Sequence, residues 1–139
     1  GGPKRTPQLA ARYATEFNIG FVGETETRDT FANLHRVCGE EGRDPLTLSL
    51  SVALPTIVAT STAELEHRCA AAGVDPSRAG AAAEEGVLVG TPEQVVEKLQ
   101  RVADLGTRRV YLQCMDMTDL EHLDLIAAEV LPHVTDTVA

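Results

Sequence analysis

The sequence predicts an α/β fold, read as a partial (β/α)8 TIM barrel with parallel strands alternating with helices, on three observations. Extended segments alternate with helical ones, the order that builds βαβ units and a parallel sheet. The clearest extended segment, 46–59, sets Leu46, Leu48, Leu50, Val52 and Leu54 against Thr47, Ser49, Ser51 and Ala53. One bulky face and one small, polar face suit a barrel strand, whereas an open doubly wound sheet wants both faces apolar. Finally, three or four strands can be counted where a closed barrel has eight, and Gly1-Gly2-Pro3 leads into a helix as if a strand had preceded it. The expectation is a single unit over residues 1–139, a barrel fragment whose open sheet edges another chain covers.

Each element has a local cause. Thr6 and Pro7 offer an N-cap and a first helical residue for a helix continuing over 8–14. A short strand follows at Glu16-Phe17-Asn18-Ile19. Phe31, Leu34, Val37 and Cys38 share one face of a helix over about 27–41 that Gly42 ends. Pro55 lacks an N–H, so the 46–59 ladder is expected to weaken or end there. Ser61 and Glu64 read as a capping box for a helix closing at Gly73, and Asp75-Pro76 caps a short alanine-rich helix ending near Gly86. After an extended piece at Val87-Leu88-Val89, Thr91, Pro92 and Gln94 open a helix with Val95, Leu99, Val102 and Ala103 as its apolar stripe. Gly106 closes it, and a strand follows over 109–115. A cap over 118–121 opens the last helix, with Leu120, Leu123, Ala127, Val130 and Leu131 expected on its buried face and Pro132 at its end.

Composition narrows the function. Hydrophobic residues make up 43% of the 139, enough for a core, and charged residues 24%. No apolar run approaches the ~20 residues of a membrane span, and no stretch has the order of a signal peptide, so a cytoplasmic location is expected. Net charge is −9, which argues against nucleic acid as a partner. The charge is uneven, however: Lys4, Arg5 and Arg12 stand in a first dozen residues without an acid, and a local basic spot can hold a small anion. Cys38, Cys69 and Cys114 are far apart and read as reduced thiols. His35, His67, His122 and His133 show no metal-ligand spacing, and the first three are expected on solvated helix faces. Neither Ser49 nor Ser51 has a nucleophile-elbow pattern around it. The pairs Glu40-Glu41 and Glu84-Glu85 read as surface charge.

The best site candidate is Gly1, Gly2, Lys4, Arg5 and Thr6. Two glycines let backbone amides approach an anion, the helix start adds free N–H groups, and the two cations add formal charge. An ordinary capped turn with solvated basic residues is the alternative. Glu16, at the start of a strand, could act as an acid, base or orienting group, or be a surface charge at a strand end. Gln113 and Asp116 fall at the C-terminal end of their strand, where barrel enzymes place their sites. Gln113 could bond a ring edge or a ribityl hydroxyl, while Asp116 could instead begin the cap of the last helix.

Two stretches carry a family resemblance. Residues 1–18 are similar to the glycine-rich segment, helix and "ADEFN"-like strand of the luciferase-like monooxygenases, with Thr15 in place of the usual Asp. Val89-Gly90-Thr91-Pro92-Glu93-Gln94, then Val110-Tyr111-Leu112-Gln113, then 120–132 resemble that family's closing helix–strand–helix unit. The resemblance spans essentially the whole chain, is to the C-terminal half of that family's barrel, and is nearest the subgroup that uses the deazaflavin coenzyme F-420. It implies a (β/α)8 barrel oxidoreductase or monooxygenase that moves a hydride or electrons between a reduced cofactor and a small organic substrate. Coenzyme F-420 is the cofactor it favours, with FMN as the alternative, and 1–6 would belong to the cofactor phosphate site. The resemblance identifies no catalytic residue. A homodimer or other homo-oligomer is expected. Two other readings stay open: a non-catalytic, self-associating α/β fragment, and an unrelated phosphate-binding α/β domain.

Overall fold

The computed structural model describes residues 4–80 and 86–134. Helix α1 (Arg5–Tyr13) leads through two residues into β1 (Glu16–Gly20), followed by α2 (Glu24–Glu40), β2 (Ser49–Val58) and α3 (Thr62–Ala72). Then come β3 (Leu88–Gly90), α4 (Pro92–Asp104), β4 (Arg109–Gln113) and α5 (Leu120–Glu129). All pairings are parallel, and β2 lies at the centre. It pairs with β1 from Ser49 to Ala53 and with β4 from Ser51 to Pro55. Strand β3 joins later, against Thr56–Val58.

Side-chain alternation splits the sheet into two faces. Leu50, Val52 and Leu54 of β2 lie with Phe17 and Ile19 of β1 and Val110 and Leu112 of β4. Against them pack Phe31, Leu34 and Val37 of α2, Val95, Leu99 and Val102 of α4, and Ala10 and Ala11 of α1. This is the main core. A smaller one forms on the other face at the C-terminal end of β2, where Ile57 and Val89 meet Cys69 and Leu65 of α3. The segment between β2 and α4 is thus more than a connection: it covers the end of the sheet from which it leaves.

Many local signals appear as expected. Gly42, Gly73 and Gly106 follow helices with φ of 72°, 67° and 90°, conformations that L side chains resist. Thr91 and Gln94 form a complete capping box, with bonds of 3.4 and 3.0 Å. The three cysteines are free, Cys38 and Cys69 buried.

The differences have physical reasons. Helix α1 begins at Arg5, with Lys4 rather than Thr6 at the N-cap; a proline is tolerated anywhere in the first turn, so Pro7 need not be the first residue. Asp44 caps a 3-10 turn over Pro45–Thr47, which takes Leu46 out of the strand and leaves it exposed. Pro55 does not end β2. The β1 ladder ends at Ala53 and the β3 ladder starts at Thr56, so proline sits where the strand exchanges partners. Asp75 caps only a 3-10 turn, Pro76–Arg78; residues 81–85, including Glu84 and Glu85, lie outside the described part.

The last helix turns a different face inward. Asp119, not Thr118, is its N-cap and accepts from the His122 N–H at 2.9 Å, while Thr118 bonds to Asp116. His122, Ile126 and Val130 are buried, and Leu120, Leu123 and Leu131 are exposed. An ion pair between Asp119 and Arg68 fixes the cap, and with it the rotation of the helix; one residue is about 100° of turn. No helix among the described residues is long and apolar enough to cross a membrane.

Candidate functional site

Away from the smaller core, the second face of the sheet is polar. Register and alternation place Glu16, Asn18 and Gly20 of β1, Ser49, Ser51 and Ala53 of β2, and Arg109, Tyr111 and Gln113 of β4 together on it. In a closed barrel this face points inward. It is bonded across its width. The Asn18 amide donates to Ser51 Oγ at 2.9 Å. Arg109 reaches past β2 to the Glu16 carboxylate at 2.6 Å, and the Tyr111 hydroxyl donates to the same carboxylate at 3.1 Å. The Ser51 and Tyr111 hydroxyls and the Arg109 charge together hold the Glu16 carboxyl below the usual carboxylate range. Glu16 is therefore an ionised partner in a cross-sheet ion pair.

Its position separates it from Gln113. Glu16 lies level with Ser49 and Gln113 level with Pro55, so six residues, about 20 Å, of strand lie between them. Barrel enzymes build their sites at the C-terminal end of the strands. Gln113 and the turn after it are at that end, and Glu16 is at the other.

Helix α1 reaches the same end as Gln113. It is joined to β1 by two residues, so it runs back along the strand and its N-terminus lies where the strands finish. Lys4 and Arg5 are exposed there, and among the described residues neither makes an ion pair. The N-cap Lys4 makes no side-chain capping bond. Pro7 contributes no N–H, which leaves the Arg5 and Thr6 amides as the open donors of the first turn. Two amides, two cations and the positive end of a helix suit a phosphate. Gly1 and Gly2 lie outside the described residues.

The C-terminal end also holds a polar network that the sequence did not reveal. Arg68 of α3 is 9% exposed. It donates to Asp119 at 2.7 Å and to the Val58 carbonyl at 2.9 Å. His122, expected on a solvated face, is 4% exposed, and its Nε2 accepts from the Val58 N–H at 2.9 Å. Both backbone groups of the last residue of β2 are thus held by side chains of α3 and α5. Burial, reinforced by the Arg68 charge, holds the His122 imidazole below its ordinary range, and an accepting Nε2 requires the neutral ring. Hydrogen bonding from Arg68 and the His122 N–H lowers the Asp119 carboxyl. Asp116 takes the Thr118 N–H and hydroxyl, so it shapes the turn after β4. An open cavity of about 460 Å³ lies beside this network, lined by Glu64, His67, Arg68, Asp116, Asp119 and Glu121 among others.

A further feature at this end is Phe21. It follows β1 with φ +60° and is 60% exposed. Its only sequence signal is an aromatic directly after a strand. Among the described residues no group of three or more His, Cys, Asp or Glu gathers as a metal site.

No family model and no curated protein matches the sequence. Solved structures do match in fold. A coenzyme F-420-dependent tetrahydromethanopterin reductase from Methanopyrus kandleri aligns with a TM-score of 0.72 at 15% identity, covering 96% of this chain and 49% of its own. An F-420-dependent secondary alcohol dehydrogenase, solved with an F-420–acetone adduct, gives 0.71 at 17% identity, covering 97% of this chain and 47% of its own. A riboflavin lyase, solved with modified FMN and riboflavin, gives 0.72 at 14% identity, over 93% of this chain and 40% of its own. The chain spans about half the length of these proteins or less. Its parallel strands and alternating helices have the fold of that half, the fold which the sequence's likeness to the luciferase-like monooxygenases implies.

Proposed function

We propose that this chain is part of a luciferase-like oxidoreductase or monooxygenase and supplies a portion of its cofactor site. The observation that carries the reading is the meeting of an open, cationic helix start with the C-terminal ends of the strands, in a fold matched by enzymes that use F-420 and FMN. Lys4, Arg5 and Thr6, with Gly1 and Gly2 ahead of them, would hold the cofactor phosphate. Gln113 would bond a ring edge or a ribityl hydroxyl. Glu16 contributes from the far end of the sheet by fixing Arg109 and Tyr111 across the inner face. When bound, the deazaflavin or flavin supplies the hydride or electron transfer; the chain's own residues anchor and orient it. F-420 is the favoured cofactor and FMN the alternative, with a small organic substrate.

Titration with F-420 and with FMN tests this directly. Saturable binding of one of them, weakened about tenfold or more by Lys4→Ala with Arg5→Ala through loss of charge-assisted phosphate bonds, is the expected result. Binding of neither overturns it. A second reading, a self-associating α/β unit, is favoured by the exposure of Leu120, Leu123 and Leu131 along α5 and the turn after it. Sedimentation decides that one, since a monomer at high concentration removes it. Both readings hold together if the enzyme is a homodimer.

A further inference from the structure

We propose that Phe21 is an aromatic wall of the ligand site, against which the flat ring of the flavin or deazaflavin packs; this rests on the cofactor reading above. A bulky residue at φ +60° is a backbone outlier. Glycine or asparagine would hold the same turn with less strain. Burial of the ring does not offset the strain, because the residue is 60% exposed. Its surroundings impose it instead. The Phe21 N–H donates to the Ala53 carbonyl at 2.9 Å, and Gly86 comes so close that a Cβ there would lie 2.5 Å from the Phe21 carbonyl carbon. The backbone is clamped from both sides, and the aromatic ring is left exposed at the C-terminal end of the strands. Strain that the surroundings impose on an exposed side chain is a mark of ligand clamps. Met115, beyond the end of β4 on the other side of β2, is 55% exposed.

The test uses the whole protein with Phe21→Gly and Phe21→Trp, titrated by fluorescence with F-420, with FMN and with lumichrome, the tricyclic ring without its side chain. Phe21→Gly should weaken the cofactor that binds, and lumichrome, by about tenfold through loss of ring stacking, and Phe21→Trp should restore both. Without ligand, Phe21→Gly should melt no lower than the unmodified protein, because it relieves the strained turn. Undiminished binding in Phe21→Gly, a loss confined to the cofactor with lumichrome unaffected, or a lower melting temperature overturns the proposal and leaves the cofactor reading standing. If the unmodified protein binds none of the three ligands, the cofactor reading itself fails, and this inference with it.

Discussion

The two ends of the sheet use their polar residues differently. At the N-terminal end, Glu16, Arg109 and Tyr111 satisfy one another across β2 in a largely solvated setting. At the C-terminal end, Arg68 and His122 are buried and bond to the backbone of Val58, so that α3 and α5 fix where β2 stops. The first arrangement ties side chains together on a surface. The second holds main chain at the end where barrel enzymes place their chemistry. The contrast teaches that charge removed at one end should be absorbed by water, while at the other it should be felt by the fold.

The strongest way to break this comparison is Arg68→Met. The change leaves the Asp119 carboxylate with only the His122 N–H and takes the side-chain donor from the Val58 carbonyl. A fully buried pair broken this way costs ~3–5 kcal/mol; Asp119 keeps some water contact, so about 2–3 kcal/mol is expected. Denaturant unfolding of the variant measures it. A loss no larger than that of a surface substitution would show that the network is ornamental.

Next in size is Gly86→Ala. The added methyl meets the Phe21–Val22 backbone at 2.5 Å, and backbone cannot swing aside as a side chain can. Overpacking of this kind costs about 1–3 kcal/mol, again read from unfolding. The same variant with Phe21→Gly should recover part of the loss, since glycine lets the clamped turn move. Strict additivity of the two changes would place their effects apart.

How much of this was legible beforehand depended on the range of the cause. The Leu50–Val52–Leu54 alternation of β2, the Thr91–Gln94 cap and the glycine stops at Gly42, Gly73 and Gly106 are set by neighbours in sequence and agree with the structure, whereas the start of β2 and the place of Pro55 in it do not follow from them. The Arg109–Glu16 bond joins residues 93 positions apart; it exists because two ladders place both strands on β2 in one register. His122 is buried although the leucines of its helix suggest another amphipathic face, because the Arg68–Asp119 pair fixes the helix rotation and turns Ile126 inward in their place. Arg68 itself sits in an ordinary-looking helix. The basic helix start at Lys4, Arg5 and Thr6 is legible in the composition, and the fold adds which end of the sheet it occupies. The Phe21 conformation comes from the approach of Gly86, and nothing local announces it.

The pH response sharpens the comparison further. His122 has a folded pKa held below its unfolded value of about 6.5. The unfolded chain therefore takes up a proton more readily than the folded one as pH falls. Stability from the neutral ring is full above that unfolded value and declines as pH drops through and below it. The lowered Asp119 acts in the same direction at more acid pH. Melting temperatures between pH 8 and pH 5 should fall, and His122→Gln should flatten the upper part of that decline. A profile unchanged by His122→Gln would detach the imidazole from the stability of the C-terminal end.

The smallest expected effect tests the other end. Arg109 is more than half exposed, and its bond to Glu16 competes with water and with salt. Arg109→Ala should move the melting temperature little, and less at high ionic strength than at low. Glu16 would then titrate nearer the ordinary carboxylate range, because one of the groups lowering its pKa has gone. Carboxyl chemical shifts followed through an acid titration would report that change while the melt reports almost none. A large loss of stability in Arg109→Ala would make the ion pair a structural tie on the inner face, and the two ends of the sheet would no longer differ in kind.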